Sequence, residues 1–172
     1  MKYLIGVIFI FTTLCALGQP VSKVSAKDVL ERYLSMDYGG ARLDGRTSGP
    51  TFQLVGWYEE PGWDELTFVI SYSITKESVS DNEAKYIVQY KTAGRMMGEV
   101  IQMDLKTEEV EFIMQKKQGV WLIMDPRIEP HVNICVIKDI LMKLSKDGHL
   151  NKNQNVDSAE QLEKLLNSCT KE

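Results

Sequence analysis

Apolar residues near the start of the chain recur every three or four positions, which is the spacing of one helical face. This stripe consists of Val29, Leu30, Tyr33 and Leu34. Ser25 and Asp28 precede it with the spacing of a capping box, and Gly39-Gly40 ends it. The pattern therefore predicts an amphipathic helix from about Ala26 to Tyr38.

From Thr51 to Asp125 apolar and polar residues alternate instead, as in strands with one buried face. The clearest run extends from Leu66 to Ile74. The other alternating groups are Phe52 and Leu54, then Tyr86, Val88 and Tyr90, then Ile101, Met103 and Leu105, then Val110, Phe112 and Met114, and finally Val120, Leu122 and Met124. These patterns predict about six strands. Short polar connections at 106–108 and 117–119 predict that the last three form an antiparallel meander.

Helical spacing returns after Asp125-Pro126 and continues to about Gly148. The stripe of this predicted helix is Val132, Val136, Ile137, Ile140, Leu141 and Leu144. Cys135 and Met142 lie on its other side, so it is expected to pack on the sheet and also on a last helix. That last helix is predicted from Asp157, with the stripe Leu162, Leu165, Leu166 and Cys169. The fold class predicted is α+β: an N-terminal helix packed on a curved antiparallel sheet of about six strands, with two additional C-terminal helices.

The first residues are typical of a secretory signal peptide. A positive start at Met1-Lys2 precedes an apolar run, and small residues stand at Ala16 and Gly18. The run is shorter than the roughly 20 residues that a membrane-spanning helix needs, although an uncleaved anchor and a lipoprotein anchor at Cys15 are the alternatives. We predict a signal peptide over residues 1–18 and a single domain over 19–172, with a C-terminal helical extension from about 127. The predicted location is secreted or periplasmic.

Charge and cysteine content refine this prediction. The chain has 20 Lys and Arg against 24 Asp and Glu, with both signs interspersed, so nothing indicates a surface for nucleic acid or for an anionic membrane. Beyond the predicted signal only Cys135 and Cys169 remain, which predicts a disulfide in an oxidising compartment; two buried free thiols are the alternative. Such a bridge would stabilise the fold by about 3 to 4 kcal/mol in the chain-entropy model.

The first helix, with Val29-Leu30-Glu31-Arg32-Tyr33-Leu34, and the final hairpin, with Gly119-Val120-Trp121-Leu122-Ile123, carry a family resemblance. From about Ser25 to Asp125 the chain resembles the NTF2-like (cystatin-like α+β) superfamily, to whose usual plan the two last helices are an addition. The resemblance implies a cone-shaped sheet that serves isomerases, dehydratases, ligand carriers and protein-binding modules alike.

Enzymes of this superfamily place an Asp and a His inside the cone, as the resemblance implies. The only histidines here are His131 and His149, and neither falls on a predicted inward strand face, so a structural or solvated role is expected for both. If the chain is instead a lyase or isomerase, one of the carboxylates Asp64, Asp104 and Asp125 should face a pocket beside a tyrosine. No nucleophile motif, phosphate loop or metal-ligand spacing occurs in the sequence, so we predict no cofactor.

Three inward-facing tyrosines, Tyr72, Tyr86 and Tyr90, are candidates for lining an apolar pocket, unless they simply fill the core.

A second candidate site is an aromatic and acidic segment around Pro61. Its residues are Trp57, Glu59, Glu60 and Trp63, which together are typical of an interaction surface, although they would equally cover a sheet edge. We therefore predict an exported, non-enzymatic binding or protein-interaction module whose partner is an unknown protein or a small apolar ligand. The alternatives are a small-molecule carrier and an NTF2-like lyase or isomerase.

Overall fold

A computed structural model of the protein describes residues 24–43, 49–59, 62–149 and 156–169. The predicted signal peptide, its cleavage site, and Glu60 lie outside these residues. Within them, no helix combines the length and the apolar character needed to cross a membrane.

The first helix, α1, spans Ala26–Tyr38, as its apolar stripe predicts. Its capping box is formed in both directions. The Asp28 backbone N–H donates to Ser25 Oγ at 3.1 Å, and the Ser25 backbone N–H donates to Asp28 Oδ2 at 2.9 Å. Local sequence signals alone are therefore enough to set the start of this helix.

A curled sheet of five strands follows a short helix, α2, at Gly49–Phe52. The strands are β1 (Glu65–Val79), β2 (Glu83–Met97), β3 (Val100–Lys117), β4 (Val120–Asp125) and β5 (His131–Asn133), in the spatial order β4-β3-β2-β1-β5. The first four form an antiparallel meander, whereas β5 runs parallel to β1. The predicted α+β class is confirmed, with five strands in a mixed sheet instead of about six in an antiparallel one.

Three predicted details are wrong. Residues 106–108 are not a turn, because β3 continues through them. The segment around Phe52 is the end of α2 instead of a strand, and Pro50 occupies the first turn, where its missing N–H costs nothing. The predicted helix over 132–148 begins only at Lys138, because His131–Asn133 pair with Thr67–Val69 of β1.

Both faces of the sheet are buried, but each face is covered at a different end of the strands. Side chains alternate along β3, so Ile101 and Met103 lie on the face opposite to Phe112 and Met114. The first pair packs under the C-terminal helices and the second pair packs with α1. The change of buried face coincides with register shifts in β1 near Val69 and in β2 between Thr92 and Gly94.

The face that carries Ile101 and Met103 is covered by two helices, α3 (Lys138–Lys146) and α4 (Val156–Ser168). The sulfur atoms of Cys135 and Cys169 are 2.01 Å apart, as expected for the pair that the sequence predicts. The link joins the segment before α3 to the end of α4, so both helices are held against the sheet.

Candidate functional site

The turn after α1 carries a buried ion pair. Gly40 adopts a positive φ of 82°, and the chain turns back so that Arg42 lies beside the last turn of the helix. Arg42 Nη1 lies 3.3 Å from Asp37 Oδ2 and donates to Tyr33 Oη at 3.0 Å, while Nη2 donates to the Ile128 carbonyl at 2.6 Å. The side chains of Arg42 and Asp37 are 1% and 2% exposed, so this pair is excluded from solvent.

The same carboxylate reaches β5. The backbone N–H of His131 donates to Asp37 Oδ2 at 3.1 Å, and the His131 ring lies 4.6 Å from the ring of Tyr90. His131 Nδ1 is 2.9 Å from the Glu129 carbonyl and Nε2 is 3.3 Å from Glu108 Oε1. Both ring nitrogens face acceptors, so the arrangement favours the doubly protonated imidazolium.

The titration behaviour follows from these contacts. Burial by itself lowers the pKa of His131, but the hydrogen bonds to Glu108 and Glu129 outweigh it, and the pKa is raised above 6.5. The hydrogen bond from His131 lowers the pKa of Glu108. Burial raises the pKa of Asp37 from 3.8 to about 6, although Arg42 opposes this change. Burial also raises the pKa of Tyr90 well above 10.0.

We expect the free energy of unfolding to be higher at pH 5 than at pH 8. The contribution of Asp37 is fully present below pH 3.8 and is lost as the pH rises through about 6. The contribution of His131 is present below pH 6.5 and is lost above its raised pKa. Glu108 opposes this trend only as the pH falls below 4.5. Asp37 alone should account for about 1 to 2 kcal/mol between the two pH values.

Urea unfolding at the two pH values measures this difference. Asp37→Asn should reduce it, whereas Asp64→Asn, which changes an exposed carboxyl group, should leave it unchanged. Equal stability of the wild-type chain at pH 5 and pH 8 would contradict the assignment.

Two buried oxygens stand out in this cluster. Asp37 Oδ1 and Tyr90 Oη have no hydrogen-bond partner within the described part of the chain. Beyond Tyr90, on the same face of the sheet, lies a small polar pit of about 80 Å³ whose walls include Thr67, Thr92 and Glu108. The cluster and the pit together form a polar end to an otherwise apolar concave face.

A larger groove, with a volume of about 610 Å³, has Arg42 in its wall. We call it the Trp63 groove. Its lining is mostly apolar, with three charged residues, Arg42, Asp64 and Glu65. The large apolar residues of the lining are Leu43, Trp63, Leu66, Met96, Ile137, Ile140 and Leu141. The Arg42 guanidinium carbon lies 5.7 Å from the centre of the Trp63 ring. Arg42 thus forms part of the groove wall while its charge is held by Asp37.

The predicted pocket tyrosines lie elsewhere. Tyr86 and Tyr90 are buried in the core and Tyr72 packs against it, and none of the three lines the grooves or the pit described here. Their placement fits the alternative, in which they fill the interior.

The predicted interaction segment is divided by the structure. Trp57 is 5% exposed and packs in the core beneath Arg127, so it does not belong to an exposed surface. Trp63 lines the groove, and Glu59 is exposed. The fully exposed aromatic residue is Tyr58, which the sequence reasoning missed.

The three candidate carboxylates are also separated. Asp64 lines the Trp63 groove, Asp104 lines the pit, and Asp125 is exposed at the end of β4. Neither cavity has a tyrosine in its wall.

Sequence reasoning missed Asp37, Arg42 and Glu108. One signal was available for Asp37: a carboxylate in the last turn of a helix opposes the helix dipole and needs a nearby cation. Among the described residues, no group of three or more His, Cys, Asp and Glu is arranged to hold a metal ion.

Comparison with known proteins finds a weak structural similarity. No family model matches the sequence, and no curated protein matches it either. A solved structure from Campylobacter jejuni, described as an NTF2-like transpeptidase, aligns with 58% of this chain and 97% of its own, at 10% sequence identity and a TM-score of 0.31. This similarity is weak and concerns the fold alone.

Proposed function

We propose that this chain is an exported binding module without enzymatic activity, which holds the apolar part of a ligand in the Trp63 groove. The observation that carries the proposal is the groove itself. Its volume of about 610 Å³ falls in the range of small-molecule sites, and its walls are mostly aliphatic and aromatic.

Exposed apolar side chains support this assignment. Ile140 is 50% exposed and Leu43 is 41% exposed, and both line the groove. A ligand that covers them removes apolar surface from water, which is worth about 25 cal/mol for each Å² covered.

One residue of the groove wall is already held in place, which favours binding. Arg42 is fixed by Asp37, Tyr33 and the Ile128 carbonyl, so its position does not have to be ordered when a ligand arrives. The core between α1 and the sheet offers less room, because Tyr33, Tyr86 and Tyr90 are almost fully buried there among other core residues.

An isomerase or lyase is the alternative from a different class. It draws support from the raised pKa of Asp37 beside Tyr90, and from the two oxygens without partners in the described part of the chain. However, Asp37, Tyr90 and His131 are only 1–3% exposed, so a substrate cannot reach them without an opening of the fold. For this reason we propose binding in preference to catalysis.

The groove can be tested with N-phenyl-1-naphthylamine, an uncharged apolar fluorophore. Ile140→Asp places a carboxylate in the groove wall and should weaken binding of the dye at least about tenfold, because an unpaired charge would be desolvated. Met142→Asp is the matched control, since Met142 is also exposed on α3 but lines a different groove.

Equal weakening of dye binding by the two substitutions, or no weakening by Ile140→Asp, would contradict the proposal.

The natural ligand can be sought by native mass spectrometry of the protein from its exported fraction. A small added mass that is lost on denaturation indicates an apolar small molecule, and the mass of a second chain indicates a protein partner. The same spectrum reports whether residues 1–18 have been removed.

A further inference from the structure

A second groove lies between α1 and the outermost strand β4. Its volume is about 580 Å³, and we call it the Trp121 groove. The floor consists of buried apolar side chains, including Trp121, Leu54 and Val29. The more exposed lining residues form the rim and include Val120, Arg32, Asp28 and Lys116. Val120 is 56% exposed at this rim.

The groove runs along the edge of β4, whose outer backbone groups are paired only in part by the described residues. Ile123 turns its backbone away from β3: its N–H donates to the Leu54 carbonyl at 2.9 Å and its carbonyl accepts from Gly56 N–H at 2.8 Å. Residues two apart in a strand direct their backbone groups to the same side. The N–H and C=O of Trp121 therefore point away from β3, as those of Ile123 do. Among the described residues, the backbone pairing on this side of β4 is a single parallel β-bridge between Val55 and Ile123, and it does not extend to Trp121.

The groove is lined by two cations, Arg32 and Lys116, and by one carboxylate, Asp28, so its charge is opposite in sign to the formal net charge of -4 of the whole chain. Lys116 Nζ lies 5.7 Å from the centre of the Trp121 ring, and Arg32 is exposed on α1. Neither cation forms an ion pair with a carboxylate among residues 24–43, 49–59, 62–149 and 156–169. The Asp28 carboxylate in the groove wall is engaged by Ser25 in the capping box of α1.

We propose that the Trp121 groove binds an extended acidic segment of a partner protein, which adds to the edge of β4 as a further strand. The partner backbone pairs with the outward N–H and C=O of Trp121. On the face toward α1, an apolar side chain covers Trp121, and a carboxylate two residues away meets Lys116 and Arg32. This site is separate from the Trp63 groove and does not depend on what binds there.

Several features together favour a peptide strand. Strand addition needs an open edge, and no described residue pairs with the outer side of β4 between Ile123 and the hairpin turn at Gln118-Gly119. The two cations supply the charge complementarity that fixes which sequence binds.

The probe is a blocked seven-residue peptide with valine at its centre, glutamate two positions away on each side, and threonine elsewhere. Titration calorimetry should show binding, and the double variant Arg32→Glu/Lys116→Glu should weaken it at least about tenfold. Lys117→Glu is the matched control, because Lys117 is exposed on the same hairpin but does not line the groove, and it should change affinity by less than about threefold. If the reversed charges disturb the fold, the double variant Arg32→Gln/Lys116→Gln removes the two positive charges without adding negative ones.

Two further peptides separate the parts of the proposal. A version with lysine in place of glutamate should bind at least about tenfold more weakly, and a version methylated on the backbone nitrogens that face β4 should lose binding. The proposal is overturned if the acidic peptide does not bind at millimolar concentration, if the lysine peptide binds equally well, or if backbone methylation has no effect. Binding must also persist in Ile140→Asp, which tests the other groove, so failure of one site is distinguishable from failure of the other.

Discussion

Arg42→Met is expected to destabilise the folded chain by about 3 to 5 kcal/mol at pH 7.5. The methionine retains much of the volume of the arginine stem but leaves Asp37 as a buried carboxylate without its guanidinium partner. It also removes the donors to Tyr33 Oη and to the Ile128 carbonyl. Urea unfolding followed by far-ultraviolet circular dichroism measures the loss.

The pH dependence of this loss identifies its cause. At pH 5 Asp37 can take up a proton, because burial already raises its pKa to about 6. The penalty for Arg42→Met should therefore be much smaller at pH 5 than at pH 7.5. The double variant Asp37→Asn/Arg42→Met should recover part of the stability at pH 7.5, since it removes both charges. A penalty that is independent of pH and unrelieved in the double variant would show that packing, and not charge, explains the effect.

Gly94→Ala is expected to cost about 4 kcal/mol of unfolding free energy. Gly94 has a φ of 151°, and a Cβ atom there would overlap the Gln102 carbonyl and lie 2.9 Å from Met103 Cα. These are backbone atoms of β3, so they cannot move aside as a flexible side chain would. The position is also where β2 shifts its register against β3.

Gly98→Ala is the matched control for this substitution. Gly98 also has a positive φ, of 56°, but a Cβ atom at this position would have no neighbour within 4 Å among the described residues. Gly98→Ala should lower the free energy of unfolding by about 1 kcal/mol, because alanine disfavours a positive φ even where its Cβ atom meets no neighbour. Similar losses for the two variants, measured by urea unfolding, would mean that the close approach of β2 and β3 does not matter.

The elements that sequence could predict are those with local signals. The capping box and stripe of α1 identify the helix from residues within one or two turns of each other. The alternating pattern divides strand β3 in two because Lys106 and Glu108, on its inward face, are polar. They face the pit and His131, so the pattern of a half-buried strand is interrupted where the polar cluster lies.

The parts that could not be predicted depend on distant residues. Parallel pairing of His131–Asn133 with Thr67–Val69 joins segments more than sixty residues apart. The residues next to either segment carry no pattern that predicts this pairing. The candidate sites have the same character. Asp37, Arg42 and His131 meet only because α1, its turn and β5 converge at one edge of the sheet.

The change of buried face along the sheet affects how this sequence can vary. The core under α1 and the core under α3 and α4 contain different side chains on opposite faces of the same strands. A change of side-chain volume in one core therefore needs compensating changes mainly among its own members. The two layers can diverge at separate rates during evolution, and the helices at the C-terminal end can be exchanged or remodelled while the α1 layer keeps its sequence.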